Sequence, residues 1–277
     1  MKLRHTLGAL ATAAAFVTGS AMAGAITLTN LDGNFVGFTE FDWSSAGQVG
    51  ITGYDTLNNT ATGNVDAFRL RYQATASSIK VNGLDVAPAL VPGLNTNYEY
   101  TIFADVNETA TCFTLGGNTC DLAKLDVVNG TWSIYYDLAP NANYTTGVGF
   151  TDGTLLLSGT FDAGVPVFAP QGPANPGNSS LIASLFGTVQ TTNLAFVNPA
   201  LTGTKATSTL QFGNTQQAGW IAPAAFDGVA FDATSNTNFF AQADANQSFA
   251  VPEPGSLALV GLALGITGFV ARRRKQV

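Results

Sequence analysis

The sequence predicts a mainly β protein, an antiparallel β-sandwich or jelly-roll-like domain. Three observations predict it: apolar residues alternate with polar ones at period two, Asn-Gly and Asp-Gly pairs punctuate the runs, and helical spacing is almost absent. Along the chain, Phe68, Leu70 and Tyr72 alternate with Arg69, Arg71 and Gln73. Tyr98, Tyr100, Ile102, Ala104 and Val106 alternate with Glu99, Thr101, Phe103 and Asp105. Trp132, Ile134 and Tyr136 repeat the pattern, as do Leu155, Leu157 and Phe161. Successive side chains of a strand point to opposite faces, so each run offers one apolar and one wetter face. Turns are expected at Asp32-Gly33, Asn82-Gly83, Asn129-Gly130, Asp152-Gly153 and Asp227-Gly228, because these pairs tolerate the positive φ of tight hairpins. Leu181 to Phe186 reads as the one brief helix.

A proline-rich stretch, 164–180, carries prolines at 166, 170, 173 and 176. It is either a linker between two domains or an exposed loop of one. The stretch from 181 to 250 has few strong strands and would make a thin domain alone, which favours one continuous exported β domain over 24–250.

The two ends read as targeting segments. Lys2, Arg4 and His5 form a basic start, Leu7 to Val17 a short apolar stretch, and Ala21-Met22-Ala23 a cleavage site before Gly24. That is the pattern of a secretory signal peptide over 1–23, cut between Ala23 and Gly24. At the other end, Pro252-Glu253-Pro254 precedes an uncharged apolar helix over 255–271, and Arg272, Arg273, Arg274 and Lys275 follow at once. Seventeen residues make about 26 Å of helix, near the lower limit for a membrane span. The four cations predict a cytoplasmic tail, in agreement with the orientation set by the signal.

The exported part, 24–251, holds 5 basic residues against 17 acidic ones, a net charge of −12. Such a charge repels phosphate and argues against nucleic-acid binding. The sole histidine is His5, so the exported part has none. Triads and dyads built on histidine are thereby excluded, and with them nearly every catalytic zinc site. No catalytic residue, metal or cofactor is expected. Cys112 and Cys120 flank Gly116-Gly117-Asn118 and read as a disulfide staple across a hairpin. Asp105-Val-Asn107-Glu108 and Asp32-Gly-Asn34 offer oxygen ligands for calcium but match no calcium loop, so solvated turns are the stronger reading. Trp43, Trp132 and Trp220 could stack on sugar rings, although Trp132 lies on a core-like stripe. Asn-x-Ser/Thr sequons at Asn58, Asn107, Asn129, Asn143, Asn178 and Asn246 follow from an Asn- and Thr-rich composition.

The Pro-Glu-Pro motif, the Gly-rich apolar helix and the closing Arg cluster, in that order over 251–277, resemble the PEP-CTERM sorting signal of Gram-negative bacteria. The resemblance implies recognition of Pro252, Glu253 and Pro254 by a membrane-embedded exosortase, with Arg272–Arg274 as the stop signal and transient residence in the inner membrane. It also implies release to the cell surface or extracellular matrix and an association with exopolysaccharide. Asp244-Ala-Asn-Gln-Ser-Phe249 and Asp152-Gly-Thr-Leu-Leu-Leu-Ser-Gly159 are similar to segments of flocculation-associated members. The expected function is that of a non-catalytic surface or matrix protein supporting flocculation or biofilm. Two alternatives stay open: a secreted carbohydrate-binding module or glycosidase-like β-sandwich, and an uncut membrane-anchored structural protein.

Overall fold

The computed structural model of the protein describes residues 24–55, 62–116, 119–164, 166–170, 181–212, 220–232, 234–235 and 237–250. The signal peptide, the sorting motif, the apolar helix and the Arg cluster read from the sequence lie outside the described residues. Ala25–Pro252 form one compact unit.

The chain opens with a hairpin, β1 (Thr27–Asn30) and β2 (Gly33–Val36), turning at Leu31 and Asp32. Then come β3 (Phe38–Trp43), β4 (Gln48–Thr52) and the long β5 (Val65–Val81), which turns through Asn82 and Gly83 into β6 (Leu84–Asp85). Both turn residues have positive φ, 51° and 77°, as an Asn-Gly hairpin turn requires. The two longest strands follow, β7 (Glu99–Gly116) and β8 (Thr119–Asp137), and after them β9 (Thr154–Phe161) and β10 (Pro166–Pro170). The remainder comprises β11 (Leu181–Thr192), β12 (Val197–Asn198), β13 (Lys205–Phe212), β14 (Ala225–Phe226), β15 (Val229–Ala230) and β16 (Phe239–Phe249).

The antiparallel, all-β expectation holds, but the strands do not form two open layers. The ladder runs β8–β7–β5–β3–β16–β13–β11–β9, and β9 pairs back onto β8. β4 continues β3 as a broken stave, pairing with β5 and β16 beyond the point where β3 stops. The result is a closed up-and-down barrel of eight staves. Alternation cannot distinguish the two architectures, because a sandwich strand and a barrel stave both bury every second residue. Strands on either side of the proline-rich stretch share this one ladder.

Two local expectations are corrected. Leu181 to Phe186 belongs to β11, where Ala183, Leu185, Gly187 and Val189 are buried and alternate with more exposed neighbours. Six residues are too few to nucleate a helix, and the ladder with β13 runs along the whole segment. Asn129-Gly130 is not a turn but lies within β8, beside a bulge at which Asn129 faces Asn107 and Val127 faces Glu108. A Cβ on Gly130 would sit 3.0 Å from Val106 Cα and 3.1 Å from the Phe161 ring, so close packing accounts for this glycine.

Eight staves leave an interior just wide enough for side chains. Trp43, Trp132, Phe41, Tyr72 and Phe249 fill it, opposite small residues such as Ala104, Ala243 and Ala245. The Trp132 indole lies over Gly159 and Gly187; a Cβ on Gly187 would come within 3.2 Å of its Nε1. The cavity left among these staves measures about 20 Å³, so the lumen is a packed core rather than a binding chamber.

β7 and β8 run on beyond the barrel as a ribbon flanked by β10 and the start of β5. At the other end, β12, β1 and β2 form a small three-stranded sheet that buries Ile26, Leu28 and Val197. On the outer wall, Gln48 and Gln73 are fully buried beneath the chain around Tyr144 and Ala225. Gln48 Nε2 donates to the carbonyls of Tyr144 and Ile221 (2.7 and 2.9 Å), and Gln73 Nε2 donates to Gln48 Oε1 (2.9 Å).

Candidate functional site

A groove of about 450 Å³ opens at the end of the barrel nearest the β1–β2 hairpin, lined among others by Leu31, Tyr136, Asp137, Leu138, Asp152 and Phe196. That volume lies in the range of small-ligand clefts. Tyr136 is the last inward residue of β8, and Asp137 ends the strand facing the opposite side. Asp152 and Gly153 lead into β9, whose Thr154 pairs with Tyr136, so closure of the barrel places the two aspartates at one lip. Gly153 lies tight against this lip: a Cβ there would be 3.1 Å from Asp137 Cβ and 2.8 Å from the Tyr136 carbonyl oxygen.

The floor is rigid. Asn30 Nδ2 donates to the hydroxyls of Tyr98 and Tyr100 (3.1 and 3.0 Å), and the Leu31 N–H donates to that of Tyr136 (3.2 Å). Tyr98 in turn donates to Asp32 Oδ2 at 2.7 Å. The Tyr98, Tyr100 and Tyr136 rings pack at 5.3 to 5.7 Å, and Phe196 lies 5.2 Å from Tyr136. Burial, with the nearby Asp32 charge adding, raises all three hydroxyls above the usual phenol range, so they stay protonated.

The groove is acidic. Asp137 Oδ1 accepts from the Ala139 N–H (2.9 Å) and Asp152 Oδ2 from Asn141 Nδ2 (3.0 Å). Beneath them, buried Glu99 accepts from the N–H groups of Asn141 and Ala142 through Oε1 (2.7 and 2.9 Å), anchoring the loop after β8. Burial raises the Glu99 carboxyl; the two N–H donors oppose this, and the Asp137 and Asp152 charges reinforce it.

Residues singled out in the sequence fall elsewhere. Trp43 and Trp132 are buried in the lumen, out of reach of any sugar, and Trp220 is half-buried in an irregular segment. The first calcium candidate is split by strand alternation: Asp105 points outward to Arg69 and Arg71, whereas Glu108 points inward. In the second, Asp32 Oδ2 takes hydrogen bonds from Tyr98 and the Gly93 N–H, and Asn34 Oδ1 takes one from Thr29. Among the described residues no cluster of three His, Cys, Asp or Glu is placed to hold a metal ion. Cys112 and Cys120 are joined as a disulfide, Cα atoms 5.6 Å apart, at the far tip of the ribbon. Of the other segments singled out in the sequence, 244–249 forms the end of β16, and 152–159 forms the groove lip with β9. The groove as a unit was not read from the sequence; its signals, Tyr136 on a strand and Asp152-Gly153 at a turn, carried no sign that they meet.

Comparison with protein families matches residues 250–275 to the PEP-CTERM protein-sorting motif. No curated protein matches the chain, and no solved structure matches it.

Proposed function

Starting from the PEP-CTERM motif at 250–275, which implies an exosortase as processing partner and export to the surface of a Gram-negative cell, we propose that the chain is a non-catalytic adhesive protein of the cell surface or extracellular matrix. Its barrel contacts exopolysaccharide and supports flocculation or biofilm, and the tail from Pro252 onward is removed in sorting. The motif carries this reading, and the barrel supports it. Among the described residues the lumen keeps a cavity of only about 20 Å³, and the exported part has no histidine. The carboxyl raised beneath the groove, Glu99, is 3% exposed and occupied with two backbone N–H groups, the arrangement of a loop anchor. Exposed Leu31 and Leu138 beside paired aspartates give a surface able to meet both the C–H face and the hydroxyls of a sugar. Deleting 252–277 tests the proposal: surface display and cell aggregation are expected to be lost together. Unchanged display and aggregation in that strain would refute it.

A further inference from the structure

The distribution of charge narrows the ligand class. All five basic residues of the exported part are held in ion pairs away from the groove: Arg69 and Arg71 with Asp105, Lys80 with Glu40, Lys124 with Asp126 and Lys205 with Asp162. None of them lines the groove. The groove end therefore presents Asp137 and Asp152, with Asp32 and Glu99 close by and no cation among the lining residues to balance them. A concave site lined by one sign of charge concentrates ligands of the other sign and repels its own. That field repels a uronic or sulfated polysaccharide, and a fully neutral one gains nothing from it. The apolar side chains supply the second half of recognition, since Leu31, Leu138 and Phe196 offer C–H surface of the kind that a pyranose ring covers. A simple cation has no use for that surface.

We propose that this groove binds a polysaccharide bearing free amino groups, its ring resting on Leu31, Leu138 and Phe196 and its ammonium paired with Asp137 and Asp152. The proposal rests on the glycan-adhesion reading above and sharpens it to one chemical class. Both aspartates already accept a hydrogen bond from their own loops, so Asp137→Asn with Asp152→Asn removes two charges while keeping each acceptor oxygen.

The test is calorimetric titration of the full-length chain in detergent, at mildly acidic pH, with four probes: a glucosamine hexamer, an N-acetylglucosamine hexamer, an oligouronate hexamer and tetralysine. The glucosamine hexamer is expected to bind about tenfold more tightly than its acetylated counterpart, the oligouronate not at all, and tetralysine weakly, with the glucosamine affinity falling as salt rises. The Asp137→Asn/Asp152→Asn variant is expected to lose that preference. A control variant, Asp232→Asn/Asp244→Asn, changes net charge equally away from the groove and is expected to keep it. Equal affinity for the two hexosamine probes would overturn the amino-sugar inference while leaving glycan adhesion standing. Tetralysine binding as tightly as the glucosamine hexamer would overturn it in favour of a general cation site. Binding of none of the sugars would overturn both readings.

Discussion

The two ends of the barrel treat a carboxylate differently. At the groove end, Glu99 is buried but receives two backbone N–H groups, and Asp137 and Asp152 beside it each hold a hydrogen bond. Nine residues on, Glu108 points into the mouth of the barrel beneath the ribbon, and burial alone pushes its carboxyl up to about 7. One end is organised by polar contacts to display charge; the other is closed by packing beneath the ribbon, with a carboxyl held neutral inside it. The contrast teaches that this barrel tolerates acid where loops can solvate it and is penalised for it where they cannot.

The largest expected effect breaks that contrast at Glu108. The fold favours the neutral carboxyl, so below the ordinary value of 4.5 both states are protonated and nothing is lost. As pH rises from there through about 7, the unfolded chain releases its proton while the folded chain retains it, and stability falls. Above that range the penalty is about 3 kcal/mol, taking 1.36 kcal/mol per pH unit. Glu108→Gln is therefore expected to raise stability by about that amount at alkaline pH and to leave it unchanged near pH 4. Urea denaturation of both proteins across this range reads the difference; parallel curves would show that Glu108 is solvated.

Next in size is the staple. Replacing Cys112 and Cys120 together by serine opens a short loop and is expected to remove about 2–3 kcal/mol. Hydrogen exchange should localise the loss to the ribbon, leaving the tyrosine floor protected. Asn30→Ala acts at the opposite end. It strips the donor shared by the Tyr98 and Tyr100 hydroxyls and is expected to lower stability by about 1–2 kcal/mol. Faster exchange at Leu31 and Asp32, with the ribbon untouched, would show that the two ends are held independently. The smallest effect belongs to Asp137→Asn with Asp152→Asn, which should alter the thermal stability by no more than about 0.5 kcal/mol, because each amide keeps the acceptor oxygen its loop uses.

The sequence disclosed the local layer well and the long-range layer poorly. The inward faces of β5, β7 and β8 are those that alternation marks, from Phe68 to Tyr72, Tyr100 to Val106 and Trp132 to Tyr136. On β9 a register shift opposite Ile134 and Tyr135 buries Leu156 beside Leu157 and leaves Leu155 partly exposed, a bulge that a strict period of two cannot anticipate. Closure depends on β9 meeting β8 and on β16 meeting β3, pairings across many residues that leave no local mark. The groove inherits the same obscurity, because Asn30, Tyr136, Asp152 and Phe196 meet only once the ladder has closed. The sorting motif was legible for the converse reason: its parts are contiguous, and their order is the signal.

The fate of the tail decides most directly whether the protein is sorted and released. Intact-mass analysis of the protein recovered from the cell surface is predicted to give a chain beginning at Gly24 and ending at or near Pro252–Pro254, without Arg272–Lys275. A surface-recovered protein that still carries the apolar stretch and its four terminal cations would contradict that release.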